Sequence, residues 1–529
     1  MRRRHIVVRM TTLMTAAFLS TALVGCTANQ QPAENPQPQD HETGTISIFV
    51  PSDGLDISQH TPLNTWQALT SELSSALKEQ GFAADDIHTH ASDGLDQQSR
   101  TIQDYVVDAL TPDKGEPKAS EITLVVAPAA QSDDSTSQYG DYAGEQIDLP
   151  DDTGNTDDAN DANDSEQTDE QYHWEQAVRR ISTTLDLAKE AGMHVILVSN
   201  TIEGFTPDAY VTLSDAERIG AVQASKLVDK LKLDTVSVDN PKSIELLLPC
   251  SSALAEESND NGSNSTGSDT DTTISATVTD DFAAAAFRGA WDVLAPYFQA
   301  GKAFSPSGLL TADTTDADWR NVAFVADSDD AVAVELTERL HMEDSDSHTR
   351  IDGIIAMNDA VASAVTNQLS ALKYVGSSAD VNPSITISGI VGNITGRKDL
   401  VKQQVPDPIK APENLPDADS NEQDIESINS RWPIVTGYGA YRDVIPQIVD
   451  GQQWMTALAD RKGTVKGIAK ICKRLDANKS LEGMKHVAMT TMNDAQVPTF
   501  SLPLIAVSAD NLKDALIDPG YISLADAGL

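Results

Sequence analysis

The chain has 529 residues, with 81 acidic against 37 basic, a formal net charge of −44, and three cysteines. So acidic a surface repels nucleic acid and anionic headgroups, which excludes both as partners and favours neutral or cationic ligands over anionic ones. The length exceeds one ordinary domain, and three cysteines cannot build a disulfide scaffold.

The first element is a basic start, Arg2, Arg3, Arg4 and Arg9, followed by a short apolar stretch over 11–25 that ends Leu23-Val24-Gly25-Cys26. It is too short to cross a bilayer as a helix, so 1–26 reads as a cleaved export signal. The small residue before Cys26 makes a lipobox, with the lipidated Cys26 as the new first residue. The protein is then expected on the outer face of the cytoplasmic membrane, anchored but not inserted. Without the signal the balance is 33 basic against 81 acidic, or −48. Residues 27–44, polar and Pro-rich, read as a flexible tether. Cys250 and Cys472 sit in apolar contexts and read as buried free thiols.

From Thr45 onward short β-branched runs alternate with amphipathic stretches. The strand 46–50 precedes a helix over 65–81. The stretch 101–110 comes next, then the strand 122–128, a helix over 177–192 and the strand 194–200. The second half repeats this grammar: helix 216–231, strand 243–249, helix 281–301, strand 321–326, helix 330–340, strand 351–359 and strand 432–439. Strands of four to seven apolar residues alternating with helices imply parallel sheets covered on both faces. The expectation is an α/β chain divided into two Rossmann-like lobes.

Four stretches interrupt the pattern. Residues 131–172 hold fourteen Asp or Glu and no Lys or Arg. The others are the Ser/Asn/Asp-rich 251–275, the short 341–348 and the acidic, Pro-containing 404–430. Such segments bury too little apolar surface to offset ordering entropy and read as solvated loops. The run 157–167 lacks the central glycine and the spacing of a calcium loop. His88 and His90 read as surface residues rather than metal ligands. The stretch 385–401 predicts one further strand and helix. No motif supplies a nucleophile, an acid–base pair, a metal site or a cofactor site, so an enzyme is not expected. Trp66, Trp291 and Trp319 lie on or near helices and suit either core packing or stacking on a ligand.

Eight collinear segments resemble the xylose-binding and multiple-monosaccharide-binding proteins, type I periplasmic solute-binding proteins of sugar ABC importers. They are IFVPSD (48–53), TWQALTSELSSALKEQGF (65–82), AKEAGMHVILVSN (188–200), DAYVTLSDAERIGAVQASKLV (208–228), SIELLLP (243–249), AAFRGAWDVLAPYFQAGK (285–302), the stretch 433–458 and the stretch 497–522. The resemblance implies two lobes joined by a three-stranded hinge, with crossovers near Asn200, Gly437 and Ala459. The first lobe would hold 45–200 and 437–458, the second 201–436 and 459–529. It also implies a monomer that closes on a small, polyhydroxylated ligand and hands it to an ABC permease.

Carried residue by residue, the resemblance keeps Trp319 as the stacking indole, Asn358 as a hydrogen-bonding partner and Asp280 as an acid before the helix. Six positions depart from it. The family's Arg before the helix Trp is Thr65, and its Asp-Arg pair is Ser199 and Asn200. Its cleft Asn is Phe282, its Asp after VTG is Gly439, and its hinge Lys is Ala459. Asp53, Asp359 and Tyr438 are candidate newcomers, and Trp66, Ser199 and Asn200 stay on the candidate lining. The substitutions run from charged to small, neutral or apolar. A hydrogen bond to a charged group contributes about 1.5–3 kcal/mol, and micromolar binding totals only about 8 kcal/mol. Several such losses therefore predict that ordinary pentoses and hexoses bind weakly or not at all. The alternative function is a ligand sensor or degenerate interaction lipoprotein with the same fold.

Overall fold

The computed structural model describes residues 43–53, 61–111, 117–130, 137–140, 142–148, 169–250, 271–342, 347–379 and 422–528. The export signal, Cys26, nearly all of the tether and the stretch 385–401 lie outside these residues, as do most of the polar inserts.

Two sheets organise the chain. Sheet one has the order β15 (Val487–Met492), β16 (Ala495–Ser501), β7 (Ala209–Thr212), β5 (His194–Val198), β3 (Ile122–Val126), β1 (Thr45–Pro51), β2 (Ile87–Ser92). Sheet two runs β10 (Ala303–Phe304), β8 (Lys242–Leu246), β12 (Gly353–Ile355), β13 (Ile434–Thr436), β14 (Met455–Leu458), β17 (Ile505–Ser508). Two short parallel pairs accompany them: β9 (Leu248–Cys250) with β11 (Ala323–Val325), and β4 (Gln146–Ile147) with β6 (Thr201–Ile202). All pairings are parallel except the β15–β16 hairpin and the β14–β17 pair. The strands β3 and β5 are buried along nearly their whole length, as apolar runs covered on both faces must be.

The chain passes between the sheets three times, at 213–215, 459–460 and 502–504. This is the two-sheet, three-crossover architecture of the type I periplasmic-binding-protein fold. Two expected crossovers move, and the lobe boundaries move with them. β7 continues sheet one beyond Asn200, because Ala209, Tyr210 and Val211 pair with Ile196, Leu197 and Val198. β13 and β14 both belong to sheet two, so 437–458 lies there and not with sheet one. Conversely, the helix Arg461–Asp476 packs Val465, Ile468 and Cys472 against Ile46 and Ile48, and β16 pairs with β7. Much of 459–529 thus belongs with sheet one.

Local chemistry explains the main helices. Thr65 caps Trp66–Glu79 through its hydroxyl, and Asp215 caps Ala216–Leu231 through its carboxylate. The helix Asp271–Gln299 packs backbone to backbone on Ala216–Leu231, because Gly220 and Gly289 leave room. A Cβ on Gly289 would lie 1.8 Å from the Glu217 carbonyl oxygen. Cys250 and Cys472 are both buried, as expected, and burial raises the Cys472 pKa.

Candidate functional site

In parallel α/β sheets ligands bind beyond the carboxyl ends of the strands. Those ends here present Pro128 after β3, Ser199 and Asn200 after β5, and Ser214 after β7. From the other sheet come Asn358 after β12 and Tyr438 after β13. Ser199, directly after β5, adopts left-handed backbone (φ 65°), as do Met357 (φ 62°) and Ala440 (φ 53°) in the turns that follow β12 and β13. Each such residue costs about 1–2 kcal/mol, which the surrounding contacts must offset.

What fills this cleft is the chain itself. Residues 137–140 and 142–148, at the head of the acidic stretch, run between the two sets of strand ends. Gln138 reaches sheet two: its Nε2 donates to the Ala326 carbonyl at 2.9 Å, and its Oε1 accepts from Asn358 Nδ2 at 3.1 Å. Its carbonyl accepts from the Tyr441 hydroxyl at 2.9 Å. The Tyr139 ring packs 4.8 Å from Phe282 and 6.4 Å from Tyr438. Tyr142 turns the other way, 5.1 Å from Trp66, and its hydroxyl donates to the Thr65 carbonyl at 2.8 Å.

The backbone that follows is read by neutral donors and acceptors. Ser214 Oγ and Ser199 Oγ approach the Tyr142 carbonyl at 3.1 and 3.4 Å. Gly144 N donates to the Ser214 carbonyl at 2.8 Å. A Cβ on Gly144 would stand 2.7 Å from the Ser199 oxygen, so only glycine fits. Glu145 N donates to Asn200 Oδ1 at 2.9 Å, while Asn200 Nδ2 donates to the Pro128 carbonyl at 2.8 Å. β4 then pairs with β6. Tyr139, Tyr142 and Ile147 are each no more than 3% exposed. The expectation that 131–172 is mostly a solvated loop therefore fails for 137–140 and 142–148, and 169–172 opens the helix Asp169–Glu190. The acidic composition of the run hides two tyrosines and an isoleucine that have a core to enter.

The candidate residues divide accordingly. Trp66, Ser199, Asn200 and Asn358 contact the segment directly, and Tyr438 lies beside Tyr139. Asp53 is a helix cap rather than a ligand group, its carboxylate accepting from Trp66 N and Gln67 N. Asp359 is fully buried within sheet two, accepting from Gln453 Nε2 and Thr456 Oγ1, both at 2.7 Å. Burial without a cationic partner raises its pKa to about 6. Trp319 is 5% exposed in the core of sheet two, with the Arg320 guanidinium 4.4 Å over its ring, so that position is filled from within. Asp280 lies on Asp271–Gln299, and its side chain is outside the described residues. Gln138, Tyr139 and Tyr142 are what sequence reasoning passes over; the sequence signal is the YGDYAG of 139–144, two aromatics among glycines inside an acidic run.

Five of the six departures from the family pattern map onto the occupant. Thr65, Ser199 and Asn200 bond it, Phe282 packs on Tyr139, and a side chain on Gly439 would strike the Tyr441 ring that holds Gln138. Ala459 is buried at a crossover, its carbonyl accepting from Asn64 Nδ2 at 3.0 Å. Beside the segment remains a cavity of about 410 Å³, bordered by Glu145, Asp148, Asp215, Glu217, Asp281 and Phe282. Its carboxylates disfavour an anion. Among the described residues there is no cluster of His, Cys, Asp or Glu able to hold a metal, and no helix long and apolar enough to cross a membrane.

No family model matches the chain, and no curated protein does. Solved structures similar to it are sugar ABC-transporter solute-binding proteins. One from Clostridium phytofermentans with bound β-D-glucose is 16% identical, covering 91% of this chain and 99% of its own, with a TM-score of 0.48. One from Chloroflexus aurantiacus in complex with D-glucose is 17% identical, covering 91% and 97%, with a TM-score of 0.47. A periplasmic ribose ABC transporter protein from Conexibacter woesei is 11% identical, covering 89% and 95%, with a TM-score of 0.43. The fold assignment itself rests on the two strand orders and the three crossovers.

Proposed function

We propose that this chain is an extracytoplasmic, lipid-anchored binding protein of the solute-binding fold that acts as a sensor or interaction module, not as a carrier of free monosaccharides, and not as an enzyme. The observation that carries this reading is the spending of the cleft on residues 137–148. Ser199 and Asn200, which would face a sugar's hydroxyls, bond the segment's backbone instead, and Asn358 bonds the Gln138 side chain. A sugar would have to displace two buried tyrosines and regain bonds that neutral groups supply weakly. Calorimetry of the full chain with xylose, arabinose, glucose and galactose tests it. The expected result is millimolar binding or none; a micromolar dissociation constant for any of the four would overturn it.

A second reading has one observation in its favour, the cavity of about 410 Å³ left beside the segment. It is the reading of a solute-binding component that delivers a small neutral or cationic polyhydroxylated ligand to an ABC permease. A thermal-shift screen of neutral and cationic metabolites separates the two, because a ligand that binds only the folded state raises the melting temperature.

A further inference from the structure

The occupant of the cleft is a peptide, and the cleft is built to read one. The groups facing residues 137–148 are hydroxyls, amides and backbone atoms: Ser199 and Ser214 on the Tyr142 carbonyl, Tyr441 on the Gln138 carbonyl and Asn200 on the Glu145 amide. Backbone pairs with backbone at both flanks of that amide. Gly144 N donates to the Ser214 carbonyl, and Thr201 N donates to the Glu145 carbonyl at 3.0 Å. Tyr139 and Tyr142, three residues apart on consecutive turns, enter separate aromatic sites, Tyr139 against Phe282 and Tyr438, Tyr142 against Trp66. Main-chain bonds supply affinity and side-chain pockets supply selectivity, a division of roles that peptide recognition commonly uses.

We infer that this cleft is a peptide-binding site whose ligand class is a tyrosine-bearing peptide that makes the same turns, Gly140 N to the Ser137 carbonyl and Ala143 N to the Gly140 carbonyl, and that residues 137–140 and 142–148 are its resident copy. The inference rests on the proposed loss of sugar binding and goes beyond it. A peptide carbonyl, an amide and a phenol need single neutral partners, whereas an unpaired charge buried against them would be costly. The segment is held on both sheets, by Gln138 on one side and Tyr142 with Glu145 on the other. It therefore keeps the two sheets together without any external ligand.

The test uses the full chain carrying Tyr139→Ala and Tyr142→Ala, which weakens the resident copy, and a fluorescein-labelled peptide SQYGDYAGEQID. The double variant should bind the peptide saturably, the wild type at least ten-fold more weakly, and a peptide with both tyrosines replaced by alanine not at all. A folded double variant that takes up no peptide, or equal binding by wild type and variant, overturns the inference. If the double variant does not fold, protease sites placed within 131–136 and 149–168 of the otherwise wild-type chain give the same answer. After cleavage the excised segment should stay with the protein through gel filtration and exchange with labelled peptide. Its loss from a protein that stays folded would refute the proposal. Sugar titration of the uncut wild type runs alongside. Micromolar sugar binding defeats the loss-of-sugar reading, while peptide failure without sugar binding defeats the peptide site alone.

Discussion

The Tyr438 hydroxyl, at the end of β13 in sheet two, lies 2.7 Å from Ser214 Oγ, at the end of β7 in sheet one. Ser214 also approaches the Tyr142 carbonyl, so one hydroxyl joins both sheets and the segment between them. Burial pushes the Tyr438 phenol up to about 12, which keeps it protonated and able to donate at any physiological pH. Tyr438→Phe removes this bond but leaves Ser214 its bond to Tyr142. The expected cost is about 0.5–1.5 kcal/mol, read as a lower urea midpoint with an unchanged slope.

The acidic stretch should divide into two parts under deletion. Removing 150–166 behind a short Gly/Ser link should leave the melting temperature within a few degrees, because a run of this acidic composition is expected to add little packing and loop length costs little entropy. Removing 135–170 takes Tyr139, Tyr142 and Ile147 out of the cleft. At about 1.5–3 kcal/mol for each large buried side chain, it should lower melting by roughly 10 °C or more. Equal effects of the two deletions would mean that the segment contributes nothing to the fold.

Where the sequence was legible and where it was not has a physical basis. The runs at 46–50, 122–126 and 194–198 are apolar enough to be seen as buried strands, and the helix Ala216–Leu231 has both its predicted ends. The β15–β16 hairpin escapes, because β15 is exposed along most of its length and shows no apolar alternation. Crossovers are harder still, since they are set by which sheet a strand joins; β14 reads the same for either sheet. At the site, Thr65, Ser199, Asn200 and Phe282, singled out as departures from the family pattern, fall where they contact the segment that begins at 137. The occupant is signalled only by the YGDYAG of 139–144, because long-range contacts such as Gln138 with Asn358 leave no local pattern.

Asp359 gives a pH signature of definite sign. Its folded pKa of about 6 lies above the unfolded value of 3.8, so between these pH values the folded state holds more protons. Its contribution to stability therefore falls as pH rises from about 4 to 6, by roughly 2–3 kcal/mol, and is flat above. Asp359→Asn should remove that fall. Melts of both proteins at pH 4 and pH 7 check it; parallel pH dependence would show that the carboxylate does not titrate in this window.

The proposed anchoring of the chain rests on the sequence Leu23-Val24-Gly25-Cys26. Cys26→Ser should shift the protein from the membrane fraction to unprocessed precursor or the medium. Detergent-dependent membrane association that survives the substitution would contradict a lipid on Cys26.

Hydrogen exchange of residues 137–148 in the unliganded full chain tests the occupied cleft most directly. The Gly144 and Glu145 amides donate to the Ser214 carbonyl and to Asn200 Oδ1 between buried neighbours. Their protection should therefore match that of the β3 and β5 amides, opening only with cooperative unfolding. Exchange within seconds, at the rate of an exposed loop, would mean that the segment does not occupy the cleft, and the account built on it would be wrong.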